Sequence, residues 1–301
     1  MTRVLKLTAI AAVLIVAAGF YPPFRLGLLA LLGRASLCPF SQATRSAWNL
    51  RHQTALKDRI LAASRLLEKD PAGFHLWDTP KGRYWVPNGS DWGLHWDLAE
   101  QERKIYGAGV LGVRAGDVVL DCGANVGVFV REALAAGARL VIAIEPAPEN
   151  LECLRRNLSR EVQAGRVVIY PKGVWDKDDI LPLNVDPENA AADSFVIRTE
   201  KAVEGPKLPL TTIDKLVAEL RLARVDFIKF DIEGAEQRAL LGAGETLARH
   251  HPRLAISSYH RPDDPEKIPA LVRAAWDGYR MQCGPCADVS TYIRPDVLYF
   301  Y

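Results

Sequence analysis

The sequence predicts a doubly wound α/β fold, a mostly parallel, Rossmann-like sheet of seven strands with helices on both faces. Three observations carry this prediction. From Gly116 onward, apolar runs of strand length alternate with stretches of helical periodicity. The runs are continuously apolar, as strands buried on both faces must be. Turn residues sit at the strand-to-helix junctions.

Taken in order, DVVLDCG leads into a helix through Phe129 to Ala136, and RLVIAIEP into one carrying Leu151, Leu154 and Leu158. RVVIYPKG follows, then VDFIKFDIEG with a helix through Leu240 to Leu247, then RLAISSYH with a helix from Ile268 to Trp276. LPLNV, SFVIR and LPLTTI interrupt the alternation between 180 and 210 and read as a strand insertion. Tyr279–Cys283 and Val297–Tyr301 read as a terminal pair of antiparallel strands at the sheet edge.

Upstream, two zones differ from this domain, which spans 106–301. Residues 1–34 include eighteen uncharged positions between Lys6 and Arg25. As a helix this run reaches about 27 Å, near the ~30 Å hydrocarbon core of a bilayer. It reads as a membrane anchor, with a cleaved signal peptide (Arg3 and Lys6 before it, Ala17-Ala18-Gly19 as a small-residue site) and a buried helix as the alternatives. Pro22-Pro23 would end the helix near the interface, and the slight excess of arginine afterwards favours a cytosolic side for the rest of the chain. Residues 35–105 read as a small extension: a helix from Ser46 to Lys69, then a hairpin of HLWD and RYWVP turning at Lys81-Gly82. Trp77, Trp85, Trp92 and Trp96 fall within twenty residues there. They either stack against a sugar or pack the extension onto the main domain.

Composition narrows the function classes. The 301 residues carry 38 Lys+Arg against 36 Asp+Glu, a net charge of +2, so no basic field for nucleic acid exists. Five cysteines are too few and too scattered for a disulfide framework and favour a reducing compartment. Cys283 and Cys286 have a metal-like spacing, but no second pair lies near them to complete four zinc ligands, so no metal site is read.

In open α/β sheets ligands bind beyond the carboxyl ends of the strands. The first such end reads Asp121-Cys122-Gly123-Ala124-Asn125-Val126-Gly127. Glycines at 123 and 127 permit a tight turn and close backbone approach to a ligand. The pattern lacks the middle glycine of a nicotinamide fingerprint and begins with an acid, which repels a pyrophosphate and suits a cation. S-adenosylmethionine (SAM), with a sulfonium, an ammonium and no phosphate, fits that charge. Glu145, eighteen residues past Gly127, ends the next strand and is placed to accept from ribose hydroxyls. Trp175 after the third strand is a candidate to stack on adenine. At the fourth strand end, Asp231, Glu233 and Glu236 put three acids in six residues. Glu236 suits a helix N-terminus; Asp231, closing an apolar strand, is costly unless it holds something. His260 follows the fifth strand and joins Asp231 and Glu233 as a candidate general base, or serves as a structural hydrogen-bonder.

The motifs VVLDCGANVG, IAIEPAPENLECLRRN, TTIDKL, VDFIKFDIEGAEQRALLGA and AISSYHRPDD resemble those of the FkbM family of SAM-dependent methyltransferases, over about residues 100–301 and in the same order. The resemblance implies a class I methyltransferase fold and O-methylation of a hydroxyl on a glycan, lipid-linked glycan or secondary metabolite. It implies that Asp121, Gly123, Asn125, Gly127 and Glu145 line the SAM pocket, with Asp231 and Glu233 at the junction of cofactor and acceptor. The alternative is a binding module on the same fold that has lost catalysis and holds glycan through its tryptophans.

Overall fold

The computed structural model describes residues 21–35 and 37–301. The apolar run Leu7–Phe20, expected to anchor the chain, lies outside these residues. Among the described residues no helix is long and apolar enough to cross a membrane. Pro22 and Pro23 begin a helix, Pro22–Leu31; the run that they were expected to end lies outside the described residues. Proline is tolerated in the first turn, where its missing N–H has no helical partner to lose. This helix buries Leu26 with Ala43 and Ile293 and leaves Phe24, Leu28 and Leu31 exposed.

The extension contains one more strand than its sequence predicts. Its long helix stops at Ala62, and Arg65–Asp70 forms a strand (β1). β1 pairs antiparallel with β2 (Phe74–Thr79), which pairs with β3 (Gly82–Pro87) through the expected turn. The helix Asp91–Glu102 follows, and Leu94, Leu98, Tyr84 and Val86 pack on Val126, Val128 and Cys153 of the main domain.

Of the strands that follow, β4 (Val118–Cys122), β5 (Leu140–Ile144), β6 (Val167–Tyr170), β10 (Phe227–Phe230) and β11 (Arg253–Ser257) are parallel. Between them, β7 (Gly173–Val174), β8 (Asp179–Val185) and β9 (Val203–Thr211) make a separate three-stranded sheet. Two strands of this insertion match LPLNV and LPLTTI, whereas SFVIR stays irregular apart from a bridge at Ser194. At the edge, β12 (Met281–Cys283) and β15 (Val297–Phe300) are antiparallel as expected. A small hairpin, β13 (Cys286–Asp288) and β14 (Ile293–Pro295), projects from the loop joining them.

The seven-stranded order is β12-β15-β11-β10-β4-β5-β6. The chain winds outward from β4 through β5 and β6, then resumes on the other side at β10. The order therefore switches between β4 and β10, where such sheets open a crevice. Every residue of β4, β10 and β11 is buried. Cys38 and Cys286 form a disulfide, their Cα atoms 6.3 Å apart, which ties the N-terminal segment to the β13 hairpin. The cysteine count alone did not predict this bond, because the partners are 248 residues apart.

Candidate active site

The β4–β10 switch point holds a cavity of about 300 Å³, the size of a small-molecule site. Its floor is built by backbone contact between the loops after the two strands. Gly123 has φ +81°, and a Cβ there would stand 1.9 Å from the Asp231 carbonyl oxygen. Only glycine lets these loops touch. The Asp231 N–H then donates to the Cys122 carbonyl at 3.1 Å.

The parallel register sets Lys229 beside Asp121, so both side chains share a face. Lys229 Nζ donates to Asp121 Oδ1 and to the Gly123 carbonyl, each at 3.0 Å, and lies 4.0 Å from Asp231 Oδ2. Burial works against the ammonium, but Asp121 and Asp231 outweigh it and hold its pKa above the ordinary value. Burial pushes the Asp121 carboxyl up, with Lys229 opposing. Asp121 is fully buried and does not line the cavity, contrary to its assignment as a cofactor contact. Its reach ends at Lys229, which does line it.

Glu145 lies at the cavity wall with both carboxylate oxygens held by backbone amides. Oε2 accepts from Asn125 N and Oε1 from Ala147 N, each at 2.9 Å. Each oxygen keeps a lone pair for a ligand hydroxyl. Burial raises the Glu145 pKa to about 7 in spite of these amides. Asn125, at φ +47°, donates from its side chain to Asp97 Oδ2 at 3.0 Å.

Two expected contacts point elsewhere. Gly127 packs against Leu154 and Leu158, so its left-handed conformation (φ +92°) serves the strand–helix turn and not the cavity. Trp175 packs on Leu210 and Ala235, because the Thr211 carbonyl takes its N–H as β7 ends and turns the ring inward. Gly173, Val174 and Phe195 line that wall instead.

At the opposite wall Tyr106 donates to Asp231 Oδ2 at 2.7 Å. The loop after β10 takes Glu233 and Gly234 into the left-handed region, φ +50° and +91°, which carries Glu233 to the cavity. His260 sits behind this loop, its side chain 3% exposed. Its Nδ1 contacts Glu236 Oε1 at 2.9 Å, and Nε2 lies 3.3 Å from Glu233 Oε1 and 3.7 Å from Asp231 Oδ1. Burial alone would depress the imidazole, but Glu236 and Glu233 raise it well above the ordinary range. Burial favours the neutral form of Asp231, yet Lys229, His260 and Tyr106 hold its pKa below the usual value. So Asp231 and Glu233 face the cavity as expected, while His260 reaches it only through them.

Of the four tryptophans expected to stack or pack, Trp92 and Trp96 line the cavity from the helix Asp91–Glu102. The sequence reading passed over Asp97 and Glu100 of the same helix, and Tyr106 and Tyr259, which complete that side. Trp92 and Trp96 stack with ring centroids 5.0 Å apart, and Trp92 is 52% exposed. Trp77 and Trp85 are packing residues: Trp77 donates to Asp91, and Trp85 lies under Arg156. Lys229 alone carried a usable signal, a lysine inside the apolar strand FIKF.

An acid-lined crevice of this kind at the switch point, with a glycine-based floor and an acid on the second strand, suits a cationic nucleoside. Residues 121–281 match the methyltransferase FkbM domain. The chain belongs to the FkbM methyltransferase family. The 31-O-demethyl-FK506 methyltransferase FkbM of Streptomyces tacrolimicus is 27% identical over 157 residues, 43% of this chain and 60% of that protein. The crystal structure of methyltransferase FkbM from Methylobacillus flagellatus KT is 19% identical and superposes with a TM-score of 0.50. It covers 87% of this chain, which spans 60% of that one. That likeness shows the shared α/β fold with its large, mostly parallel sheet.

Proposed function

We propose that this FkbM-family chain is a SAM-dependent O-methyltransferase whose acceptor is a hydroxyl of a glycan, a lipid-linked glycan or a secondary metabolite. The observation that carries the reading is one cavity bordered by Glu145 on one wall and by Asp231 and Glu233 on the other. SAM would supply a methyl group already activated on a sulfonium, so the protein has no leaving group to protonate. Glu145 and the Gly123–Asn125 backbone would hold the nucleoside, and the acidic walls complement its net positive charge. Asp231, fixed by Tyr106, is oriented to accept a hydrogen bond from the acceptor hydroxyl and draw off its proton. Holding oxygen and methyl in line supplies most of the remaining rate. The Trp92–Trp96 pair and Asp97 and Glu100 form the aromatic-plus-carboxylate surface that suits a sugar ring and its hydroxyls. The name of the Streptomyces relative, an O-demethyl substrate's methyltransferase, agrees with a hydroxyl acceptor.

Membrane attachment through residues 1–34, with the domain on the cytosolic side, belongs to the same proposal. Its support is the uncharged run before Arg25 and the apolar residues Phe24, Leu28, Leu31 and Phe40 left exposed beside it. Calorimetry tests the cofactor: SAM and its demethylated product are expected to bind in the micromolar range and NADH not at all. NADH binding without SAM binding would overturn the reading.

A further inference from the structure

The first acidic residue in the sequence is Asp58. Seven Lys+Arg precede it, so the 244 residues from Asp58 onward carry 31 Lys+Arg against 36 Asp+Glu. A nearly neutral chain thus divides into a cationic N-terminal part and an acidic body. The structure shows what these cations accompany. In the helix Pro22–Leu31, Leu26 and Gly27 face the body and are buried. Tyr21, Phe24, Leu28, Leu31 and Leu32 fall at helical spacing along the opposite side, and all are exposed, Leu31 at 78%. Phe40, 56% exposed, flanks the helix, its ring 3.8 Å from where a Gly27 Cβ would stand.

A helix that is apolar on both sides needs two apolar neighbours. One is the cluster of Leu26, Cys38, Ala43, Cys286 and Ile293. Among the described residues nothing covers the outer stripe, and a contiguous apolar surface of this kind marks an interaction site. Charge identifies the second neighbour. Arg25 pairs with Asp288 and Lys57 with Asp58. Arg34, Arg45 and Arg51 are exposed and make no ion pair among the described residues. Arg34 follows the stripe by two residues. Arg45 and Arg51 flank the start of the helix Ser46–Ala62, which exposes Trp48 and Leu50. Leucines and aromatics bordered by arginine, with no acid among them, match a lipid–water interface with anionic headgroups. A second copy of the chain would bring like charges together, which argues against self-association through this face.

We propose that the outer stripe of the helix Pro22–Leu31, with Phe40 and the side chains of Arg34, Arg45 and Arg51, docks onto an anionic lipid surface. The helix has ten residues and reaches about 15 Å, half the hydrocarbon thickness, so it lies in the interface and does not cross. The uncharged run that ends at Arg25 leads straight into it, so a chain held to a bilayer by that run brings the stripe to the surface. The inference deepens the membrane attachment proposed above and rests on it. The apolar run is one anchoring signal and this face the second, and stable attachment generally takes two. Each arginine at an anionic surface is worth roughly a 5-fold gain in binding, less at high salt.

The test uses the full chain carrying Leu31→Trp, reconstituted into phosphatidylcholine vesicles with or without about 30% phosphatidylglycerol, the acyl chains brominated to quench tryptophan at the interface. The reading is the emission gained over the wild type, and circular dichroism verifies the fold of every variant. With phosphatidylglycerol the added emission should fall by at least about half. Quenching should drop severalfold in pure phosphatidylcholine, and equally when Arg34→Gln, Arg45→Gln and Arg51→Gln are combined. Chain that sediments with vesicles while the added tryptophan stays unquenched would overturn the docking face and leave attachment by the apolar run standing. Quenching that ignores both lipid charge and the three substitutions would overturn the anionic partner. Blue-shifted emission without lipid quenching would assign the face to a second copy and overturn the lipid. Chain that sediments with neither vesicle would sink the attachment reading, and the face with it, whatever SAM binding shows.

Discussion

Replacing Lys229 by methionine should destabilise the fold far more than a typical side-chain truncation, and the structure sets the scale. The ammonium and Asp121 are 3.0 Å apart, with side chains 5% and 0% exposed. At an effective dielectric near 20 their attraction is about 5 kcal/mol, and removing one member of a buried pair commonly costs ~3–5 kcal/mol. Most of that cost is Asp121 left buried without a cation. Lys229→Met should therefore lose about 3–5 kcal/mol in urea unfolding followed by tryptophan fluorescence, a large part of a domain's usual margin. Adding Asp121→Asn should recover at least half of it. The pH dependence has a definite sign. In the single mutant, Asp121 has a folded pKa raised above its unfolded value, so its protonated form is stabilising at low pH and that stability is lost as pH rises. The deficit should be larger at pH 8 than at pH 5. A loss under about 1 kcal/mol, or a double mutant as unstable as the sum of the singles, would refute the pairing argument.

Glu145→Gln should weaken SAM binding by roughly 10- to 100-fold, the range of a charged hydrogen bond, and unchanged calorimetric affinity would remove Glu145 from the cofactor site. With its pKa at about 7, Glu145 in the wild type should also make SAM affinity fall as pH drops from 8 to 6, a slope the Gln variant lacks. Trp92→Ala should raise the acceptor KM severalfold at nearly unchanged kcat, since a half-exposed stacking face contributes binding away from the reacting oxygen; an unmoved KM would put the sugar-binding surface elsewhere. In acid-quenched cells all five cysteines should alkylate if the domain is cytosolic, whereas air-oxidised protein should show three, Cys122, Cys153 and Cys283. Three in cells would place the domain in an oxidising compartment.

The large sheet was legible because strands buried on both faces need continuous apolar runs, and β4, β5, β10 and β11 supply them. β1 was not. RLLEKD has no clean alternation, a bulge falls between Leu66 and Glu68, and pairing with β2 decides its state over helical propensity. Residues placed by strand ends (Gly123, Glu145, Asp231, Glu233) were readable, since topology carries those ends to one crevice. Residues whose direction depends on packing were not. Asp121 and Trp175 stand at the right ends but turn inward. Asp97 and Glu100 reach the cavity only because the helix Asp91–Glu102 docks on Val126 and Val128. The Cys38–Cys286 bond required a contact that no local pattern encodes.

The central claim is that the cavity between Glu145 and Asp231 transfers a methyl group to a hydroxyl. Purified chain should be incubated with methyl-labelled SAM and fractionated glycans, lipids and small metabolites from cells of its own source, beside an Asp231→Asn control that still binds SAM. The account predicts label in an acid-stable, base-stable ether on a hydroxylated product, with the variant reduced at least about 100-fold. Label in no fraction although SAM is bound, or equal label with Asp231→Asn, would contradict it.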